Sequence, residues 1–181
     1  RVKQNIRVEE LNRKLKEVSI TDALTGLRNR TGFDALALPY LLECQNQGKY
    51  SAIVFADINQ MKMINDKYGH LQGDLALCTV AEAIKRSLPK NWIAVRYGGD
   101  EFLMVGECRS AEEAVEITEN LREELELLKE KRGLVFSLSV STGSVVMYPE
   151  EKNNLEEYLR RADEAMYVAK QQFHQAQSSL K

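Results

Sequence analysis

The stretch Trp92-Ile93-Ala94-Val95-Arg96-Tyr97-Gly98-Gly99-Asp100-Glu101-Phe102-Leu103-Met104-Val105-Gly106-Glu107 decides the fold. Two strand-like runs, Trp92 to Tyr97 and Phe102 to Glu107, flank Gly98-Gly99-Asp100-Glu101, and that spacing predicts a β-hairpin. Upstream, Ser51 to Asp57 (SAIVFAD) is an apolar run of strand length and reads as a buried strand. Between them, Leu77, Val80, Ala81, Ile84 and Leu88 mark one stripe of a helix over 71–88. Downstream, Glu112 to Lys131 reads as a helix with Ala114, Ile117, Leu121, Leu125 and Leu128 inward, closed by Gly133. Leu134 to Ser141 alternates as a strand, and Gly143 to Tyr148 reads as a short further one. Asn154 is placed to cap a last helix carrying Leu155, Tyr158, Leu159, Ala162, Met166 and Ala169 on one face. Near the start, Thr31 is expected to cap a helix beginning near Gly32, and Pro39 to bend or interrupt it. Helices and strands intermix around a central hairpin. The expectation is an α/β (α+β) sandwich on a mixed, mainly antiparallel sheet.

Residues 1–20 form a helical pattern outside that core, with Val8, Leu11, Leu15 and Val18 at three- and four-residue steps among Lys, Arg and Glu. Two readings stand: a surface helix packed on its own domain, or the end of a dimeric coiled coil joining an upstream module, the latter preferred. The expected organisation is therefore 1–20 as a signalling helix, 21–176 as one catalytic domain and 177–181 as a tail. The 181 residues suit one domain plus an appendage. A net charge of −2 gives no support for broad nucleic-acid binding. No apolar run reaches the ~20 residues that cross a bilayer. The polar N-terminus Arg1-Val2-Lys3-Gln4-Asn5 has neither a signal-peptide pattern nor an initiator Met, so a fragment of a longer cytoplasmic chain is expected. Cys44, Cys78 and Cys108 lack CxxC spacing and read as free thiols. His70 and His174 form no zinc-type cluster.

Two features carry chemistry. At the hairpin tip, two glycines permit a tight turn and close backbone approach, and two carboxylates follow, Asp100 and Glu101. Taken alone this is a polar turn. The second feature is Asp57, an acid ending an apolar strand, followed by Asn59, Lys62, Asn65, Asp66, Gly69, Gly73 and Asp74 in what reads as a loop. Asp57 and Asp100 could give two hard oxygen ligands to one Mg²⁺. Lys62 and backbone N–H groups suit phosphate oxygens. Asn65 and Asp74 offer an amide and a carboxylate, the complement of a guanine edge. The residues thus point to a metal–nucleotide site.

Arg96-Tyr97-Gly98-Gly99-Asp100-Glu101-Phe102 resembles the defining motif of the GGDEF family of diguanylate cyclases. Three further blocks follow the family's order: Asp22-Ala23-Leu24-Thr25-Gly26-Leu27-Arg28-Asn29-Arg30, Asp57 to Asp74, and Ala162-Asp163-Glu164-Ala165-Met166-Tyr167-Val168-Ala169-Lys170. The likeness covers roughly residues 20–174. It implies a palm-like fold related to nucleotidyl cyclases and polymerases. It assigns metal binding (Mg²⁺, with Mn²⁺ as a substitute) to Asp57, the Ile58 carbonyl and Asp100, and makes Glu101 a second catalytic acid. It assigns guanine to Asn65 and Asp74, phosphates to Lys62 and Lys170, and close substrate approach to Gly98 and Gly99. Each domain would bind one GTP, and two would face each other as a homodimer to make cyclic di-GMP. The rival expectation is a non-catalytic GTP-binding sensor.

Three departures stand out. Pro89-Lys90-Asn91-Trp92 occupies the place where many members carry an RxxD product-inhibition site. His174 stands four residues after Lys170 where an Arg is usual, on the same helix face, as a weaker, pH-dependent γ-phosphate anchor or a solvated terminal residue. Met61 and Asn59 replace the usual aromatic residue and the frequent Asp. Trp92 and Tyr97 read as sheet packing rather than base-stacking platforms.

Overall fold

The computed structural model describes residues 2–151 and 154–180. Helix α1 (Val2–Ile20) leads into a turn, then a helical segment made of α2 (Arg30–Gly32), a π-helical turn (Phe33–Ala37) and α3 (Leu38–Asn46). Strand β1 (Ser51–Ile58), α4 (Met61–Tyr68), α5 (His70–Ser87), β2 (Ile93–Arg96), β3 (Glu101–Glu107), α6 (Ala111–Arg132), β4 (Val140–Met147) and α7 (Leu155–Ser178) complete the chain. The sheet order is β2-β3-β1-β4, and all three pairings are antiparallel. The mainly antiparallel sheet is as expected: among the described residues, parallel pairing is confined to an isolated bridge between Arg28 and Val95.

The apolar run Ser51–Ile58 is central, and all its residues are buried. Strand alternation sends its side chains to opposite faces. Ala52, Val54, Ala56 and Ile58 join Phe102 and Met104 in one core beneath α5 and α6. Ile53 and Phe55 join Val95, Leu103 and Val105 in a second core, under Phe33 and Leu41 on one side and Tyr158, Ala162 and Met166 of α7 on the other. The sheet is therefore covered on both faces, and each core is built from one strand parity. Helix α7 crosses β4 at Gly143, where an added Cβ would stand 2.1 Å from the Met166 nitrogen and 2.4 Å from the Ala162 oxygen. Only glycine lets the helix backbone approach that closely.

Several local expectations are corrected. The helix after the first turn is capped by Asn29, whose side chain accepts from the Gly32 N–H, and not by Thr31. Pro39 does not interrupt it: the ring sits just after the π-helical turn, in which the Leu38 N–H reaches back to the Phe33 carbonyl. Residues 61–68, read as loop, form α4. The polar composition hides a single buried anchor, Ile64. The strand expected over 134–141 and the short one from Gly143 are replaced by one strand, Val140–Met147. Phe136 and Leu138 are buried, which produces the alternation. They lie beyond Ile58↔Val140, the last register pair that β1 can offer, so no ladder forms there.

Tyr97 and Trp92 pack as expected. The Tyr97 ring meets Phe33 and Phe55 edge-on at 5.4 and 5.5 Å, and buried Trp92 donates from its indole to the Glu107 carbonyl at 3.1 Å. The α1 stripe does not fold back. Val8, Leu11, Leu15 and Val18 are 55%, 53%, 67% and 76% exposed.

Candidate active site

The register of the sheet assembles the acids. Asp57 pairs across the ladder with Glu101, and the Ile58 N–H donates to the Asp100 carbonyl at 3.1 Å. Asp57 and Glu101 thus share one face, toward α7, while Asp100 lies at the mouth of the turn on the α4–α5 side. Like charges directly opposite on a sheet are destabilising, and Asp57 is only 5% exposed. Burial is the main reason its carboxyl is pushed up to about 6; Asp100 and Glu101 add to the effect and Lys170 opposes it. Glu101 is also raised, first by burial, then by Asp163 and Asp100.

Asp57 makes one side-chain bond. Its Oδ2 accepts from the Lys170 ammonium at 2.6 Å, whereas its Oδ1 is buried with no hydrogen-bond partner among the described residues. A buried orphan carboxylate oxygen is costly, and it is the type of atom a hard cation would satisfy. Asn59, just beyond, is buried and fixed from two sides: it donates to the Ser139 hydroxyl at 3.0 Å and accepts from Ser141 at 2.7 Å. Gln60 then turns through φ 57°, the left-handed region that non-glycine residues seldom occupy, and α4 starts abruptly.

That sharp turn lays α4 beside α5 and opens a cavity of about 510 Å³. Its walls include Lys62, Asn65 and Asp74 from the expected set, with Gly99 and Asp100 at one end. The two helices are held close by Gly73, where a Cβ would fall 1.9 Å from the Asn65 Oδ1. His70 and Arg96 also line the cavity, and sequence reasoning missed both.

Arg96 organises the hairpin tip. Its guanidinium donates twice to the Gly99 carbonyl, at 3.1 and 2.8 Å, and reaches Asp22 Oδ1 at 3.3 Å. Asp22 is itself clamped by the Thr25 N–H and hydroxyl at 2.9 and 2.7 Å, bonds that with Arg96 hold its carboxyl below the usual aspartate range against the upward push of burial. The entry motif and the hairpin therefore form one unit. Neither Gly98 nor Gly99 adopts a positive φ. A Cβ on Gly98 would stand 2.8 Å from Glu101 Oε2, while Gly99 opens to solvent. His174 is exposed, one helical turn beyond Lys170, with its ring against Phe173 rather than any acid of the site. Among the described residues, no group of three His, Cys, Asp or Glu side chains converges to hold a metal alone.

An antiparallel sheet covered on both faces, with paired acids at the end of its central strands and the neighbouring Asp100 lining a cavity between the hairpin tip and two helices, is the nucleotidyl-cyclase type of palm domain. The family profile described as "Diguanylate cyclase, GGDEF domain" matches residues 19–176, and the chain belongs to the GGDEF family. It is 32% identical to the cyclic di-GMP phosphodiesterase NbdA of Pseudomonas aeruginosa, over 94% of this chain and 22% of that protein. It is 31% identical to the diguanylate cyclase TpbB of the same species, over 92% of this chain and 38% of TpbB. Among solved structures it resembles the coiled coil and GGDEF domain of DgcB from Caulobacter crescentus, in complex with c-di-GMP. There the TM-score is 0.78 and the identity 26%, over 94% of this chain and 90% of that one. The chain spans less than half the length of the curated relatives it matches.

Proposed function

We propose that this domain is a diguanylate cyclase, condensing two GTP molecules into cyclic di-GMP with release of pyrophosphate. The observation that carries the reading is the buried, half-partnered Asp57 carboxylate set beside Asp100 and a cavity lined by Lys62, Asn65 and Asp74. Asn65 and Asp74 present the amide and carboxylate that a guanine edge requires. Lys62 supplies cationic charge, and the N-terminus of α4, which has no side-chain cap, offers N–H groups to phosphate oxygens.

The donor set fits a magnesium ion: Asp57 with its orphan oxygen, the Ile58 carbonyl and Asp100 would hold it, leaving the remaining positions to substrate phosphates. When bound, such an ion screens the triphosphate charge and lowers the pKa of an attacking hydroxyl. Glu101, its proton affinity raised by burial and by neighbouring acids, would take the proton from the 3′-hydroxyl. That hydroxyl attacks the α-phosphate of a GTP held by a facing domain, and pyrophosphate leaves. The reciprocal attack closes the ring. One domain holds one nucleotide, so two copies must meet, and catalysis is largely their positioning.

The test is incubation of the purified chain with GTP and Mg²⁺ and separation of the nucleotides by chromatography. Cyclic di-GMP that forms with the wild type and disappears with Asp100→Ala supports the cyclase. The exposure of His174, away from the acids, favours one second reading, a GTP-binding domain without turnover. Tight binding of GTP by a demonstrated dimer, with no product, would select it.

A further inference from the structure

Lys170 does not stand where the family resemblance alone would leave it. Its ammonium is 2.6 Å from Asp57 Oδ2, in an ion pair whose acid side chain is 8% and whose base is 27% exposed. The pair joins the end of the central strand to α7. The helix is fixed against the sheet by Tyr158, Ala162 and Met166, so the lysine stem springs from a rigid base one turn beyond Met166. The carboxylate is the more deeply buried partner, with Asp100 and Glu101 as its acidic neighbours. Taking a counter-ion from such a group is costly.

We propose that Lys170 is a placeholder cation, competing with a divalent metal ion for Asp57 and released toward the triphosphate when metal and nucleotide arrive together. This rests on the GTP reading above. Three features support it. An ammonium held on Oδ2 and a metal ion on the orphan Oδ1 of the same carboxylate would be close neighbours and repel strongly. Among the described residues no three acids converge to hold a metal by themselves, so metal binding without nucleotide must work against the ion pair with few protein ligands in return. A polyphosphate reverses both deficits, giving the metal further oxygens and the lysine, still partly open to solvent, a new anion. Metal and nucleotide then bind with positive coupling, and the coupling is reciprocal.

The test uses the full chain and Mn²⁺, with free ion read by electron paramagnetic resonance, in the absence and presence of α,β-methylene GTP. Wild type is expected to bind Mn²⁺ weakly alone and roughly tenfold or more tightly with the analogue. Lys170→Met should bind Mn²⁺ about tenfold more tightly than wild type without analogue. The gain from the analogue should then be small. Mn²⁺ should also raise the unfolding midpoint of the variant more than that of wild type. Should the methionine variant fail to fold, Lys170→Gln enters the same titration. Equal or weaker Mn²⁺ binding by the variant without analogue, including no binding by either protein, overturns the placeholder. Tighter Mn²⁺ binding by the variant with no analogue binding by either protein leaves the competition supported and overturns the GTP reading.

Discussion

At the scale of single residues, Asp57 carries the clearest conflict between stability and chemistry. Its carboxyl, normally titrating at 3.8, is pushed to about 6 by burial and by Asp100 and Glu101. The folded chain therefore holds a proton that the unfolded chain has already lost between those two values. Stability contributed by this group falls as pH rises through that window, and the full penalty persists above pH 6. In the presence of a chelator, Asp57→Asn should raise stability at pH 7.5 by about 2 kcal/mol, the upward push from 3.8 to about 6 being worth about 3 before relaxation. The gain should fade toward pH 4 while turnover is lost. Thermal unfolding of both proteins at the two pH values checks it, and an unchanged midpoint at pH 7.5 would refute the assignment. The acids of this site were legible in the sequence because short motifs place them at a strand end and a turn. Arg96 and His70 were not, since nothing in their local spacing signals a side chain that folds back on its own turn or opens onto a cavity. Nor was the Lys170–Asp57 pair, which joins residues 113 positions apart.

At the scale of elements, most of the fold was legible wherever burial is periodic. The hairpin, the central strand, α5, α6 and the Asn154-capped α7 all follow from apolar spacing and cap chemistry. Helix α4 was hidden because a short helix with one buried residue leaves no stripe, and β4 was misplaced because buried Phe136 and Leu138 imitate a strand beyond the reach of β1. The entry motif and the hairpin tip are coupled by Arg96, which bonds the Gly99 carbonyl and Asp22 while its own N–H bonds the Arg28 carbonyl at 2.8 Å. Arg96→Met keeps the aliphatic stem and removes the fork. The Gly99 turn should loosen, shifting Asp100 and Glu101, and a misplacement near 1 Å is enough for a loss on the order of 100-fold in kcat. Stability should fall by about 1–3 kcal/mol, since Asp22 is left part-buried without its cation. Steady-state kinetics with GTP, alongside a denaturant titration, separates these effects. A fall in stability with kcat intact would mean that the turn is held by other contacts.

At the scale of the whole molecule, the site is half of what the proposed reaction needs, and the surface offers one obvious means of bringing halves together. Helix α1 carries Ile6, Val8, Leu11, Leu15 and Val18 in the open, each more than half exposed, and its C-terminal end is tied to the domain. Asn29 donates to the Ser19 carbonyl at 2.9 Å and its N–H to that of Ile20 at 3.0 Å, while Arg28 pairs with Glu17 at 2.9 Å. A stripe that stays in water on its own chain is stabilised by burial against another, and its three- and four-residue spacing is that of a two-helix seam. A short seam gives weak association, so dimer formation and activity should both depend on protein concentration. Leu11→Glu with Leu15→Glu places charge at adjacent seam positions without touching either core. The pair should leave the unfolding midpoint of the domain within a few degrees of wild type. It should abolish the sedimenting dimer and lower specific activity at micromolar protein by at least about tenfold, the loss shrinking as concentration rises. Sedimentation velocity and cyclic di-GMP production across the same concentration series provide the measurement. Full activity from a strictly monomeric variant would remove α1 from any part in bringing two nucleotides face to face.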